Sequence, residues 1–232
     1  YKQYNFMQKL AYKTQNGFTH SANFQYSTST DINRYDRLTD PAGSGLKSAE
    51  WYYGPQKRLL GIYSLEKENV FSNTDFKLDA GYQNIEESRH NRNFGNYNLQ
   101  NRVEKVAVYS LAVNFETKLI KGNLYYGIEK YYDDLKSTAH KNNINTGVDV
   151  PLDTRYPNGK NNVMRNDVYV SYSSKRYEAT NFSIGARAGY ATLNSTIADN
   201  SILPLPFTEI KQQNFTYSGN IGLVHNASEN FI

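Results

Sequence analysis

The sequence predicts an all-β chain, built from the antiparallel, up-and-down strands of a transmembrane β-barrel. Three observations predict it. Apolar and polar residues alternate over segments about as long as a membrane-spanning strand, and the connections between those segments run alternately short and long. The apolar character is aromatic and thinly spread, with 21 Tyr and 11 Phe among 232 residues.

The stretch T-N-F-S-I-G-A-R-A-G-Y-A-T (180–192) shows the pattern. Phe182, Ile184, Ala186, Ala188 and Tyr190 fall on one face, and Ser183, Gly185, Arg187, Gly189 and Ala191 on the other, because successive side chains of a strand point to opposite sides. A soluble sheet would bury the apolar row in a core. A membrane barrel would turn it to lipid and keep Arg187 in a wet interior.

In chain order, a first strand is expected over Asn5–Tyr12, then the turn K-T-Q-N-G, then a second over Phe18–Tyr26. A long connection follows before a third strand at Lys57–Glu66, which the short joint K-E-N-V-F-S-N ties to a fourth at Thr74–Ile85. A polar loop is expected over Glu86–Gln100. A fifth strand then carries Val103, Ala107, Tyr109, Leu111, Val113 and Phe115 on one face, and the turn T-K-L-I-K-G leads to a sixth at Asn123–Leu135. Loop is expected from Lys136 to Asn166, then a seventh strand through Val168, Val170 and Tyr172, the short joint K-R-Y-E-A, and the eighth strand just described. A loop over Asn194–Gln213 precedes a ninth strand at Asn214–Asn226, and A-S-E-N joins it to a start at Phe231.

Every short joint thus falls at one end of the sheet and every long one at the other, the asymmetry of outer-membrane barrels. A sandwich has turns every 8 to 12 residues without that bias. Tyr and Phe at the ends of the apolar rows, among them Tyr26, Tyr82, Phe115, Tyr132, Tyr172 and Phe215, suit interfacial girdles. The competing reading is a soluble β-rich binding or adhesion module with edge tyrosines and bulge glycines.

Composition bounds the function. Hydrophobic residues are only 38% and mean hydropathy is −0.74, poor material for a thick dry core, while so many aromatics exclude a disordered chain. A formal charge of +4 without clustered Lys and Arg argues against a nucleic-acid partner. With no cysteine there is neither a disulfide nor a thiolate metal site. There is no G-x-S-x-G, no phosphate-binding glycine loop and no H-E-x-x-H, so no catalytic residue, metal ligand or cofactor is expected and the chain is read as a non-enzyme. An outer-membrane barrel enzyme would need Asp, His or Ser converging at the loop-side strand ends, and the histidines at 20, 90, 140 and 225 are scattered.

Five segments, F-Q-Y-S-T-S-T-D-I-N-R-Y-D-R-L-T-D (24–40), A-E-W-Y-Y-G-P-Q-K-R-L-L (49–60), Y-Q-N-I-E-E-S-R-H-N-R-N-F-G (82–95), R-V-E-K-V-A-V-Y-S-L-A-V-N-F-E (102–116) and N-F-S-I-G-A-R-A-G-Y (181–190), together resemble TonB-dependent outer-membrane receptors of the Bacteroidetes type. The resemblance implies that residues 1–232 are the middle of a larger, 22-stranded barrel domain in the bacterial outer membrane, with the plug domain and the C-terminal strands outside the chain. It implies uptake of a scarce small-molecule ligand, a ferric siderophore or other iron chelate first, with haem, cobalamin or a glycan also compatible. The partners it implies are TonB, acting through the missing plug, and the surrounding outer-membrane lipid and lipopolysaccharide.

Ligand contacts in such a protein belong on the long-loop side. The second connection supplies Arg34, Tyr35, Arg37, Trp51, Tyr52 and Tyr53, and later loops add Arg89, His90, Arg92 and Arg155, with Tyr156 and Arg165 near them. Guanidinium forks suit carboxylates, phosphates and anionic chelates, and aromatic rings offer flat contact area. The plainer reading makes R-Y-D-R-L-T-D a folded loop base, with Arg34 and Arg37 tied to Asp36 and Asp40, and makes His90 and His140 solvated loop residues. Glu86 and Glu87 are adjacent on strand-like backbone, so their carboxylates point apart.

Overall fold

The computed structural model describes residues 1–174 and 180–225. In chain order the elements are β1 (Gln3–Lys13), β2 (Phe18–Ser29), β3 (Ile32–Asn33), α1 (Tyr35–Leu38), β4 (Pro41–Ala42), β5 (Gly45–Leu46), β6 (Ser48–Tyr53), β7 (Lys57–Phe71), β8 (Thr74–Asn93), β9 (Asn98–Leu119), β10 (Gly122–Asn143), β11 (Asp149–Pro151), β12 (Asn161–Ser174), β13 (Thr180–Thr196) and β14 (Glu209–His225). The nine long strands lie side by side in the order β1-β2-β7-β8-β9-β10-β12-β13-β14, each antiparallel to the next. This is the up-and-down order that the alternating connections predict.

The turns at one end are tight. Thr14 donates its backbone N–H to the Phe18 carbonyl at 2.8 Å, and Gly17 closes that turn at φ +83°, a left-handed conformation that glycine adopts without a side-chain clash. Between β7 and β8 only Ser72 and Asn73 turn the chain, and between β9 and β10 only Ile120 and Lys121. The expected short joint at 175–179, the final joint at 227–230 and the start at Phe231 lie outside the described residues.

At the other end the strands run past the expected boundaries. The expected loop over Glu86–Gln100 is mostly strand, because β8 continues to Asn93 and β9 begins at Asn98. Likewise β10 runs to Asn143 and β12 starts at Asn161, inside the expected Lys136–Asn166 loop, and β13 and β14 trim the Asn194–Gln213 loop to residues 197–208. The joint after Glu66 is strand to Phe71, with an irregularity in pairing between Lys67 and Phe71. In each case the apolar alternation stops while the backbone ladder continues. A ladder needs only paired N–H and C=O groups, which polar side chains on both faces do not disturb.

Burial along β13 runs opposite to that of a soluble protein. Phe182, Ile184, Ala186 and Ala188 are exposed, whereas Ser183, Gly185 and Arg187 are half-buried and Gly189 is buried. The central strands share this sense: Ile128 and Val168 are 53% and 54% exposed, while Glu104 and Ser137 on the polar face are 5% and 2% exposed. Among the described residues the only buried hydrophobic side chain is Leu152, in a loop. No second layer covers the apolar face among the described residues, which removes the packed core that a soluble sandwich requires.

Each face has its own cohesion. On the apolar face aromatic rings meet across strands, Phe76–Phe115 at 5.5 Å, Phe115–Tyr126 at 5.3 Å and Tyr190–Phe215 at 4.9 Å, pairs worth about 0.2–1 kcal/mol each. On the polar face Arg187 bridges Glu129 at 2.5 Å and Asp167 at 3.1 Å, and the Tyr169 hydroxyl donates to Asn114 Oδ1 at 2.7 Å. Gly127 lies under the Tyr169 ring, where a Cβ would collide with that ring and with the Val113 carbonyl oxygen. Residues of seven strands, from Lys13 on β1 to Tyr169 on β12, line one recess of about 610 Å3, so the sheet curls with its polar side inward.

Candidate ligand-binding site

The long excursion between β2 and β7 folds back as further sheet. β3 pairs with β6, and β6 continues the ladder of β8 beyond β7. The backbone N–H of Arg34 donates to the Trp51 carbonyl at 2.9 Å, which pins the start of α1 to β6. The joint between β6 and β7 is held from both sides: Gly54 N–H donates to the Ser88 carbonyl at 3.1 Å, and Ser88 Oγ donates to the Gly54 carbonyl at 2.9 Å. Gly54 has φ +100° and a Cβ there would sit 3.1 Å from the Thr30 carbonyl oxygen, so this crossing requires glycine.

This register sorts the candidate residues by face. Tyr53 lies opposite Arg89 and Trp51 opposite Asn91, while Tyr52 lies opposite His90. Trp51 and Tyr53 meet edge to face at 5.1 Å, with the Arg34 guanidinium carbon 5.0 Å from the Trp51 ring centre and 5.2 Å from that of Tyr53. Arg89 approaches the same rings at 5.6 and 5.4 Å. Two guanidinium groups therefore share one aromatic pair.

The two arginines differ in what satisfies them. Arg34 donates from Nε and Nη2 to the two Asp36 oxygens at 2.7 and 2.5 Å and from Nη1 to the Tyr53 hydroxyl at 2.6 Å. The bidentate bond raises Arg34 above its ordinary pKa and holds the Asp36 carboxyl below the usual carboxylate range. Arg89 has no ion pair among the described residues, and its buried Nε has no hydrogen-bond partner there.

Further cations stand next to this cluster. Arg102, opposite Arg89 in register, donates from Nε to the Asp153 carbonyl at 3.1 Å and from Nη2 to its carboxylate at 3.0 Å. Glu104, two positions along β9, accepts from Arg155 at 3.2 Å and from Ser137 Oγ at 3.3 Å. The loop between β11 and β12 therefore folds over the polar face and contributes Arg155 to the same side as Arg89.

The remaining sequence candidates lie elsewhere. Tyr52 stacks on His90 at 4.7 Å, His90 Nδ1 bonds Asn101 Oδ1 at 2.6 Å, and burial pushes the Tyr52 hydroxyl above its ordinary pKa. Arg92 donates to Glu50 at 2.7 Å and to the Asn96 carbonyl at 3.0 Å. These three belong to the face opposite Trp51 and Tyr53, so a ligand on one side cannot reach both sets. Tyr35 is exposed, and Arg37 pairs with Asp40 at 3.5 Å and Asp36 at 4.0 Å, as the folded-loop-base reading expects. Arg102, Glu104 and Asp153 were missed by sequence reasoning. For Arg102 and Glu104 the available signal was parity: both fall on the polar side of a strand that extends into the loop region. No group of three or more metal-ligating side chains converges among the described residues.

No family model and no curated protein matches the sequence. Solved structures do match its shape. The chain superimposes on the copper transporter OprC with a TM-score of 0.75 at 10% identity, over 99% of this chain and 35% of that one. The fold is that of a TonB-dependent receptor barrel. The ferric citrate transporter FecA in its unliganded form shares this receptor-barrel fold with a TM-score of 0.66 at 10% identity, over 98% of this chain and 34% of that one. The siderophore receptor PiuA from Acinetobacter baumannii does so with a TM-score of 0.66 at 11% identity, over 98% and 40%. The chain thus spans about a third of the length of these proteins.

Proposed function

We propose that this chain is a section of the barrel wall of an outer-membrane receptor of the Bacteroidetes type, within a longer protein that also carries a plug domain. That protein takes up a scarce small-molecule ligand with energy passed on by TonB through the plug, and the ligand is an anionic iron chelate such as a ferric siderophore. The exposed apolar face meets lipid and the curled polar face lines the lumen. The short turns are periplasmic and the long connections are extracellular, which puts Arg34, Trp51, Tyr53 and Arg89 at the outer mouth.

The observation that carries the ligand class is Arg89. A guanidinium seated over two aromatic rings, without an acid of its own among the described residues, offers a charged fork and a flat apolar surface to an anion that brings both features. Arg102 and Arg155 lie on the same side, each already matched by an acid, Asp153 and Glu104, which leaves Arg89 as the free fork among the described residues of this cluster. Among the proteins with this fold are a ferric citrate transporter, a siderophore receptor and a copper transporter, which supports a metal ion or its chelate as cargo.

The test is to express the full-length protein in outer membranes, extract it and run it unboiled and boiled on gels, with iron and porphyrin absorbance measured on the purified material. A heat-modifiable band with bound iron is expected. A full-length protein in the soluble fraction without a band shift would overturn the barrel reading, and a shifted band that binds only neutral glycans would overturn the anionic-chelate reading alone.

A further inference from the structure

The apolar face carries a row of charged side chains beyond its aromatic edge. Lys57 lies opposite Glu86, Glu86 opposite Lys105, and Lys105 opposite Lys136, so four charged residues stand abreast on β7, β8, β9 and β10. Alternation places all four on the side of Tyr82, Tyr109 and Ile128. These strands are central in the sheet, away from the β1 and β14 edges.

The charges in this row do not balance. Glu86 is shared by Lys57 at 3.2 Å and Lys105 at 2.9 Å. Lys136 is exposed, makes no ion pair among the described residues and faces Lys105 directly, a like-charge placement that destabilises a sheet unless an anion is shared. Exposed Lys160 comes just before Asn161, the partner of Leu135, and adds a further cation at this height. Asp134 is on the same face two residues nearer the tyrosines and makes no ion pair within 4.0 Å among the described residues. Even with both acids counted, the cations are in excess.

The order along the strands supplies the occupant. Leu78, Leu111 and Ile128 form part of the apolar band, and Tyr82, Tyr109 and Tyr132 stand abreast above it with ring centres 5.1 and 6.2 Å apart. The lysine row follows about 13 Å farther along β8, at roughly 3.3 Å per residue. Apolar, aromatic and cationic levels in that sequence match hydrocarbon, interface and headgroup. Lysine ammonium groups, compact point charges, suit phosphate oxygens.

We propose that Lys57, Lys105 and Lys136 form a binding site on the outside of the barrel for the phosphate groups of an anionic lipid headgroup in the outer leaflet, with Glu86 spacing the lysines and the tyrosine row seating the glycolipid below its phosphates. This rests on the barrel reading above, and it names a site on the face away from the ligand cluster.

The test compares the full-length protein with a K57Q/K105Q/K136Q variant, both extracted in detergent and incubated with lipid A, with retained lipid measured by native mass spectrometry. The wild type is expected to retain lipid A, and the variant to lose retention by roughly tenfold or more, as three lysines at an anionic surface imply. The K77Q variant, on the polar face, is expected to leave it unchanged. Should the triple variant not reach the heat-modifiable state, K136Q alone carries the test, since Lys136 has no ion pair among the described residues to lose. Equal retention by wild type and variant, both heat-modifiable, would overturn the site while leaving the barrel reading intact. Displacement of lipid A by inorganic phosphate in the same detergent would also overturn it, by assigning the lysines to a soluble anion. A wild type that never becomes heat-modifiable overturns both.

Discussion

Arg89 stands with its guanidinium carbon 5.6 Å from the centre of the Trp51 ring, held there by the pairing of β6 with β8. Arg34, just before α1 in the same excursion as Trp51, approaches that ring at 5.0 Å, already committed to Asp36 and Tyr53. The aromatic pair is thus a platform with one satisfied cation and one that has no ion pair among the described residues.

Arg89→Gln removes the unsatisfied charge while keeping a polar side chain of comparable reach. A hydrogen bond to a charged partner is worth about 1.5–3 kcal/mol, so affinity for an anionic iron chelate should fall by roughly ten- to a hundredfold. Calorimetric titration of the full-length protein measures it. Arg92→Gln, on the opposite face, is expected to leave affinity unchanged, and an equal loss in both would remove the assignment of faces.

Asp36 gives the loop a dependence on acid. Its folded-state pKa lies below the ordinary value of 3.8 because Arg34 binds the ionised carboxylate. The contact therefore contributes fully above that value and is lost as pH falls through the lower folded value. The emission difference between wild type and Trp51→Phe should stay constant down to the ordinary carboxylate range and change only below it. In Asp36→Asn the low-pH emission should appear already at neutral pH.

Gly127 tests the close packing of the polar face. A Cβ at this position meets the Val113 carbonyl oxygen, which the sheet cannot move, as well as the Tyr169 ring. Gly127→Ala should lower barrel stability by about 1–3 kcal/mol, as overpacking usually does. The urea midpoint of the heat-modifiable band reads this. Gly61→Ala, where a Cβ would meet no atom within 4 Å, serves as the comparison and should shift far less.

The two faces of β13 predict opposite tolerance to charge. Ala186 is exposed on the apolar face and Ser183 is half-buried on the polar one. Ala186→Arg should cost about 2–4 kcal/mol of folding free energy in lipid vesicles, the cost of a cation on the lipid side near mid-membrane. Ser183→Arg should cost little, and the reverse ranking would exchange lipid and lumen.

Much of this fold was legible because alternation reports environment. Where one side of a strand meets an apolar medium, every second residue records it, and the rows Phe182 to Tyr190 and Tyr109 to Phe115 did so. The extensions Glu86–Asn93 and Lys136–Asn143 left no such record. Apart from Ala139 their side chains are polar on both sides, so only the hydrogen-bonded ladder shows that they are strand.

The candidate site divides in the same way. Sequence alone determined that Arg34 and Arg37 have acids within local reach, because short chain separation is a property of the chain itself, whereas it grouped Trp51, Tyr52 and Tyr53 in one connection and only the strand β6 separated Tyr52 from the other two. The tertiary structure decided that Tyr53 lies opposite Arg89 rather than His90, that Arg102 joins this side and that Arg155 folds onto Glu104. Register between strands separated by dozens of residues is set by long-range pairing, and a slip of one residue would turn every side chain to the other face.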